Sequence, residues 1–245
     1  MKKLLSLFLL SALFLAGMAA SQFFIVNKTD GSKLYFAISE VDSISFCDPQ
    51  EHDYVDLGLP SGTLWATCNV GANSPEEDGD YFAWGETTPK SRYDWSTYKY
   101  GTAEDQLTKY CNESSFGLNG YIDTKTVLDP EDDAATTNWG NGWRMPTSDE
   151  FDELINNCSR VWTTQNGKYG RLFTGPNGNT LFLPAAGYYD GASFKVAGSY
   201  GEYWSSTLND AKPLSAYCRY FNVSGVFWGY RNRYYGFSVR PVVKR

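Results

Sequence analysis

Apolar and polar positions along this chain change their period several times, and each change marks an element. Phe23 to Val26 and Lys33 to Ile38 are β-prone, with turn chemistry at Thr29-Asp30-Gly31-Ser32 between them, which predicts a hairpin. Ser43-Ile44-Ser45-Phe46 alternates and predicts a third strand. So small a unit, residues 21–47, cannot bury a core of its own, so it is expected to pack on the main domain or on a partner. Asp48 to Glu51 reads as a joint. Beyond it one segment has a clear helical period. Thr147 follows Pro146 as an N-cap with Glu150 three residues on, a capping box, and Phe151, Leu154 and Ile155 form one apolar stripe. A weaker helix is expected from Ala103 to Tyr110. Strands are expected at Thr180 to Pro184, Tyr203 to Ser205, Ala216 to Val223, Val226 to Trp228 and Phe237 to Val242. Few helices, short strands and long loops define an α+β domain over residues 48–245.

The first 20 residues follow a different pattern. Lys2 and Lys3 precede an apolar run from Leu4 to Ala16, broken only by Ser6 and Ser11, and small residues around Gly17 to Ser21 offer a cleavage site. This is the layout of a secretory signal peptide. The run is too short for a membrane span, and no cysteine follows it closely enough for lipid attachment, since the first is Cys47. An exported protein at the cell surface, in the periplasm or secreted is therefore expected, with no direct membrane insertion after cleavage.

Export permits disulfides. The five cysteines, Cys47, Cys68, Cys111, Cys158 and Cys218, include no C-x-x-C pair, which argues against zinc-ribbon and thioredoxin-type sites. Their odd number leaves at least one free, and the pair guessed for a bridge is Cys111 with Cys158. The net charge of −7 becomes two units more negative when Lys2 and Lys3 leave with the leader. Such a balance, without a basic cluster, argues against nucleic acid as a partner. His52 is the single histidine and lies in the joint, which disfavours a Ser–His–Asp triad. The acidic runs Glu76-Glu77-Asp78-Asp80 and Asp129-Glu131-Asp132-Asp133 are read first as solvated faces. Calcium is the second reading, but neither run has EF-hand spacing. No catalytic residue, cofactor or metal ligand is assigned.

The unusual feature is aromatic: 17% of residues are Phe, Trp or Tyr. In Ala216 to Val223 the alternate set Tyr217, Arg219, Phe221 and Val223 is expected to face the core. Its complement, Ala216, Cys218, Tyr220 and Asn222, is expected to point outward. Val226 and Trp228 are read as buried. The candidate ligand-binding residues are Asn209, Cys218, Tyr220, Asn222, Phe227, Tyr230, Arg231, Asn232, Arg233 and Tyr235. Flat rings give large contact area at small entropic cost, and Arg adds stacking and forked hydrogen bonds.

Several motifs carry a family resemblance. Arg144-Met145-Pro146-Thr147 with Glu150-Phe151, and the closing Gly236-Phe237-Ser238-Val239-Arg240, resemble formylglycine-generating-enzyme-like domains of the C-type-lectin-like fold. Four stretches resemble the Fibrobacter major paralogous domain family of exported Bacteroidetes and Fibrobacter proteins: Tyr54 to Gly71, Tyr81 to Glu86, Leu181 to Tyr188 and Tyr203 to Ser206. Residues 23–46 resemble a short module found at the N-terminus of surface proteins in the same bacteria. The resemblance implies a C-type-lectin-like domain behind a β-hairpin module, with its late strands carrying the ligand surface. The enzymes of this group use a cysteine pair near the C-terminal part of the domain. Here that region holds only Cys218, so the chemistry does not carry over. Arg144 is placed to pair with a buried carboxylate, and Trp139 and Trp143 to anchor loops. Some relatives ending in the same pattern also look like targets of diversity-generating retroelements. The expectation is an exported, non-catalytic binding protein for a protein or glycan. The alternatives are a structural or adhesive envelope subunit docking through the N-terminal hairpin, and a degenerate formylglycine-generating-type enzyme.

Overall fold

The computed structural model describes residues 23–27, 30–37, 52–140 and 142–244. The leader, the third strand expected at Ser43 to Phe46 and Cys47 lie outside them. The chain divides into two units between residues 48 and 49. In the first, β1 (Phe23–Asn27) and β2 (Lys33–Ala37) pair antiparallel, from Phe23 opposite Ala37 to Asn27 opposite Lys33. Gly31 takes φ +83° in the turn, and the Asp30 carboxylate accepts the Ser32 N–H at 2.9 Å. This is the Asx chemistry that the turn sequence implied.

The second unit runs β3 (Tyr54–Val55), β4 (Thr63–Ala66), β5 (Tyr81–Phe82), α1 (Ala134–Trp139), α2 (Ser148–Asn157), β6 (Ser159–Gln165), β7 (Lys168–Thr174) and β8 (Thr180–Pro184). It continues with β9 (Tyr188–Asp190), β10 (Ser193–Lys195), β11 (Gly201–Leu208), β12 (Ser215–Asn222), β13 (Gly225–Asn232), β14 (Phe237–Ser238) and β15 (Val242–Lys244). The central sheet has the order β13-β12-β11-β14-β5, with β14 parallel to β11 and the other pairs antiparallel. Strands β6, β7 and β8 form an antiparallel meander, and β15 joins β4 and β3. The architecture is therefore α+β, strand-rich, with two α-helices among the described residues.

Alternation along β11 explains why the central sheet is buried on both faces. Trp204 points into a cluster with Trp84, Leu208, Cys218 and Phe237, stacking on Phe237 at 4.3 Å. Its neighbour Tyr203 points the other way, into a cluster with Trp65, Phe151, Phe173 and Phe221. The polar tips of these large rings are used. Trp204 Nε1 donates to the Phe82 carbonyl, and Trp84 Nε1 to that of Ser205, both at 2.8 Å. Two rings thus stitch β11 to the β5 segment while filling the core.

Helix α2 has its capping box, with Thr147 Oγ1 accepting the Glu150 N–H and the Glu150 carboxylate accepting the Thr147 N–H. Glu150 also receives the Arg144 fork at 2.7 and 2.5 Å, so Arg144 has the carboxylate partner that its sequence position suggested.

Three expectations are corrected. Residues 103–110 form turns and a single bridge, not a helix. Leu107 and Tyr110 are both fully buried but enter different clusters, whereas one helix face would send residues i and i+3 the same way. Cys111 and Cys158 are free thiols in separate clusters, so the guessed bridge is absent. The last expected strand, Phe237 to Val242, is two short strands in different sheets, because buried Arg240 holds the segment between them. Its guanidinium donates to the Asn69 side chain at 2.8 Å and to the carbonyls of Ala66 and Thr67.

Candidate functional site

The last hairpin, β12–β13, stands at the edge of the central sheet, and among the described residues β13 has no strand neighbour on its outer side. Its register places Tyr217 opposite Tyr230, Arg219 opposite Trp228 and Phe221 opposite Val226 on one face. On the other face Ala216 is opposite Arg231, Cys218 opposite Gly229 and Tyr220 opposite Phe227. The body of the domain covers β12 on both sides. Arg219 is pinned to α2 through Asp152 at 2.6 Å, and Ala216 and Cys218 are fully buried among the rings around Trp204. Cover ends at β13. Trp228 is 64% exposed, Tyr230 48% and Phe227 39%.

The residues expected to form one surface therefore separate. Tyr220 and Phe227 stack at 5.2 Å on one face, with the Arg231 guanidinium 5.2 Å from the Tyr220 ring. Tyr230 stands on the opposite face beside Trp228 and Tyr217. Asn222 is half-buried at the turn and accepts the Ser224 N–H through its side chain at 2.8 Å. Asn232 is half-buried and directs its amide at the Tyr234 hydroxyl.

Four of the expected ligand residues are structural. Asn209 is buried and caps a turn, its side chain accepting the Ala211 N–H at 3.2 Å. Cys218 is inside the core, where burial pushes its thiol well above the usual range. Arg233 has no exposed surface. It donates to the carbonyls of Lys109 and Tyr110 and lies over the rings of Trp84 and Tyr98. Tyr235 is half-buried against the core beside Tyr188 and Phe237. Conversely Trp228 and Val223, expected inside, are exposed. The core face of β12 has no counterpart beyond α2, so the same alternation that buries Phe221 leaves Trp228 in water.

Sequence reasoning also missed Glu202. It lies opposite Tyr220 in β11, is only 3% exposed, and sits 3.5 Å from Arg231 with Oε2 unpartnered. Burial raises its carboxyl to about 7, and the Arg231 charge only partly offsets that. No sequence signal distinguishes this glutamate, since its burial comes from strands distant in the chain.

Two other constellations bear on chemistry. His52 stacks on Trp139 at 3.5 Å and lines a cavity of about 300 Å³ with Asp53, Thr67, Cys68 and Asn73. Burial lowers its pKa. Among the described residues no hydrogen bond joins His52 to Cys68, the contact that a nucleophile–base pair requires. The acidic loop at 129–132 closes around a lysine. Lys109 Nζ lies 2.6 Å from Asp129, 2.6 Å from Asp132 and 3.3 Å from Glu131. The other acidic run serves loop geometry, with Glu76 accepting from Asn166 and Glu77 accepting the Asn73 N–H.

A family model described as "Domain of unknown function (DUF8237)" matches residues 157–242, from the end of α2 to the start of β15. The match covers well under half of the chain but includes the whole edge hairpin. No curated protein and no solved structure is matched.

Proposed function

We propose that this chain is an exported, non-catalytic ligand-binding protein of C-type-lectin-like architecture that offers the β12–β13 hairpin to a protein or glycan. The observation that carries the reading is the exposure of Trp228, Tyr230 and Phe227 on an edge strand whose neighbour is held rigid by a buried interior. Rigid rings lose little entropy on binding, and exposed apolar clusters of this kind mark recognition surfaces. Two α-helices among the described residues, many strands and long loops support the lectin-like assignment. Among the described residues no helix is long and apolar enough to cross a membrane.

The test is an array of glycans and proteins probed with the intact chain, with Trp228→Ala/Tyr230→Ala and with Tyr220→Ala/Phe227→Ala. One double variant is expected to lose the signal, which also identifies the binding face. Equal signals from all three would remove the hairpin from the reading. Diversification of this segment belongs to the same proposal. Its mark is a near-copy of the 3′ end of the gene in neighbouring DNA that differs only at adenines; a locus without one excludes it.

One observation favours the envelope-subunit alternative for the first unit. Ile25 and Tyr35 form a cross-strand pair and are 45% and 61% exposed, an apolar face suited to a protein partner. Deleting residues 21–47 would then abolish surface display while leaving ligand binding intact.

A further inference from the structure

Trp162 of β6 and Tyr169 of β7 line a cleft of about 450 Å³ together with Ser199, Tyr200, Asn222 and Ser224. Their rings are within 11° of parallel, with centroids 6.0 Å apart. Tyr169 is 52% exposed, and Trp162 is half-buried against Phe221. An aromatic wall joined by serine hydroxyls, a tyrosine and an amide provides what a sugar ring needs: a flat surface for its C–H face and partners for its hydroxyls.

A cation stands beside this cleft. Arg171 is only 7% exposed, and its guanidinium carbon is 5.9 Å from the centre of the Trp162 ring. Its Nη2 donates to the carbonyls of Asn222 and Val223 at 2.7 and 3.1 Å, two residues that line the cleft. Nε is buried without a partner, and among the described residues no carboxylate is within ion-pair distance. Burial first, and then the neighbouring Arg160 charge, lower its hold on the proton. The other buried arginines differ. Arg219 is paired with Asp152, while Arg233 and Arg240 are closed inside the core, where they bind loop carbonyls. Among the described buried arginines, Arg171 is the one without a countercharge that lies directly behind a cleft, its guanidinium against Trp162 and the carbonyls of Asn222 and Val223, which line it.

We propose that this cleft binds a carboxylate-bearing saccharide, its ring stacked on Trp162 and its charge balanced by Arg171. The site goes beyond the hairpin reading, because Trp228 and Tyr230 take no part in it. Desolvating an unpaired guanidinium is costly, and an anion brought alongside recovers part of that cost. A neutral sugar of the same shape recovers none.

The full chain would be titrated with tetragalacturonate and with 3′-sialyllactose, each against its neutral counterpart, the methyl ester of the same saccharide. Tryptophan fluorescence or ligand-observed NMR would report binding. At least one acid is expected to bind about tenfold or more tighter than its counterpart, the scale of one charge-assisted hydrogen bond. Tyr169→Ala, at an exposed position that spares the fold, and Trp162→Ala should each weaken acid binding by a similar factor. Arg171→Gln should erase the preference for the acid, and Trp228→Ala should leave acid binding unchanged. Failure of both acids to bind, equal binding of acid and counterpart, or indifference to Tyr169→Ala overturns the proposal. Loss of acid binding in Trp228→Ala alone would assign the saccharide to the edge hairpin, which overturns this site while supporting that one.

Discussion

The Lys109 ammonium lies 2.6 Å from a carboxylate oxygen of Asp132, a residue 1% exposed at the base of the acidic loop. Burial works against ionisation there. Hydrogen bonds from Lys109, Tyr100, Tyr110 and Lys99 outweigh it and hold the carboxyl at about 2. A depressed folded value means stability that is present above the ordinary carboxylate pKa and lost as pH falls through the folded one. Denaturant melts should therefore show a loss of about 2 kcal/mol between pH 4 and pH 2 that involves this group. In Lys109→Met the pH 7 stability should fall by about 3 kcal/mol, since a buried carboxylate loses its main countercharge. Unchanged stability would show that Lys99 and the two tyrosines suffice.

Glu202 has the opposite sign. Its carboxyl is raised to about 7, so the fold prefers the protonated acid and loses stability as pH rises from the ordinary value toward neutrality. Glu202→Gln removes that penalty. The variant should gain up to about 3 kcal/mol over wild type at pH 8 and much less at pH 5. Parallel thermal melts at the two values decide this, and an equal shift at both would mean that Glu202 does not titrate in the fold.

Glu150 closes the capping box of α2 and receives both arms of the Arg144 guanidinium. Removing it strands a partly buried cation and frees the N-terminus of the helix. Glu150→Ala should cost about 3 kcal/mol, whereas Asp149→Ala, in the same turn, should cost under about 1 kcal/mol. Equilibrium denaturation of the two variants gives the comparison.

Trp228 and Tyr230 are exposed, so their packing contributes little to the fold. The double alanine variant should unfold within about 1 kcal/mol of wild type, while Phe221→Ala, at a buried position in the neighbouring strand, should lose about 3–5 kcal/mol. Similar losses in both would mean that the edge strand is packed and not offered to a ligand.

How much was legible in the sequence depended on where the information sat. The capping box of α2, the Arg144 carboxylate partner and the strand at Thr180–Pro184 rest on neighbours within a few residues. The turn at Asp30-Gly31-Ser32 was likewise readable from local chemistry. Strands β6 and β7 were missed because Ser159–Gln165 mixes exposed and half-buried positions and Lys168–Thr174 adds buried ones, neither with clean alternation. In the candidate surface, Tyr220, Phe227, Tyr230 and Arg231 were identified as accessible or partly accessible aromatics and cations, but Arg233, Asn209 and Cys218 were not separated from them.

Residue order by itself settled the local grammar of this protein: which segments turn, where α2 begins, and that β12 and β13 alternate. Alternation assigns residues to two faces but does not say what covers either one. That depends on strands and helices brought from elsewhere: α2 over Arg219 and Phe221, and the Trp204 cluster over Cys218, while Trp228 stays 64% exposed. Burial is a property of the assembled layers, so the same residue type becomes core at Trp204 and surface at Trp228. The accessible face of this molecule came into being only when the sheet and its coverings met.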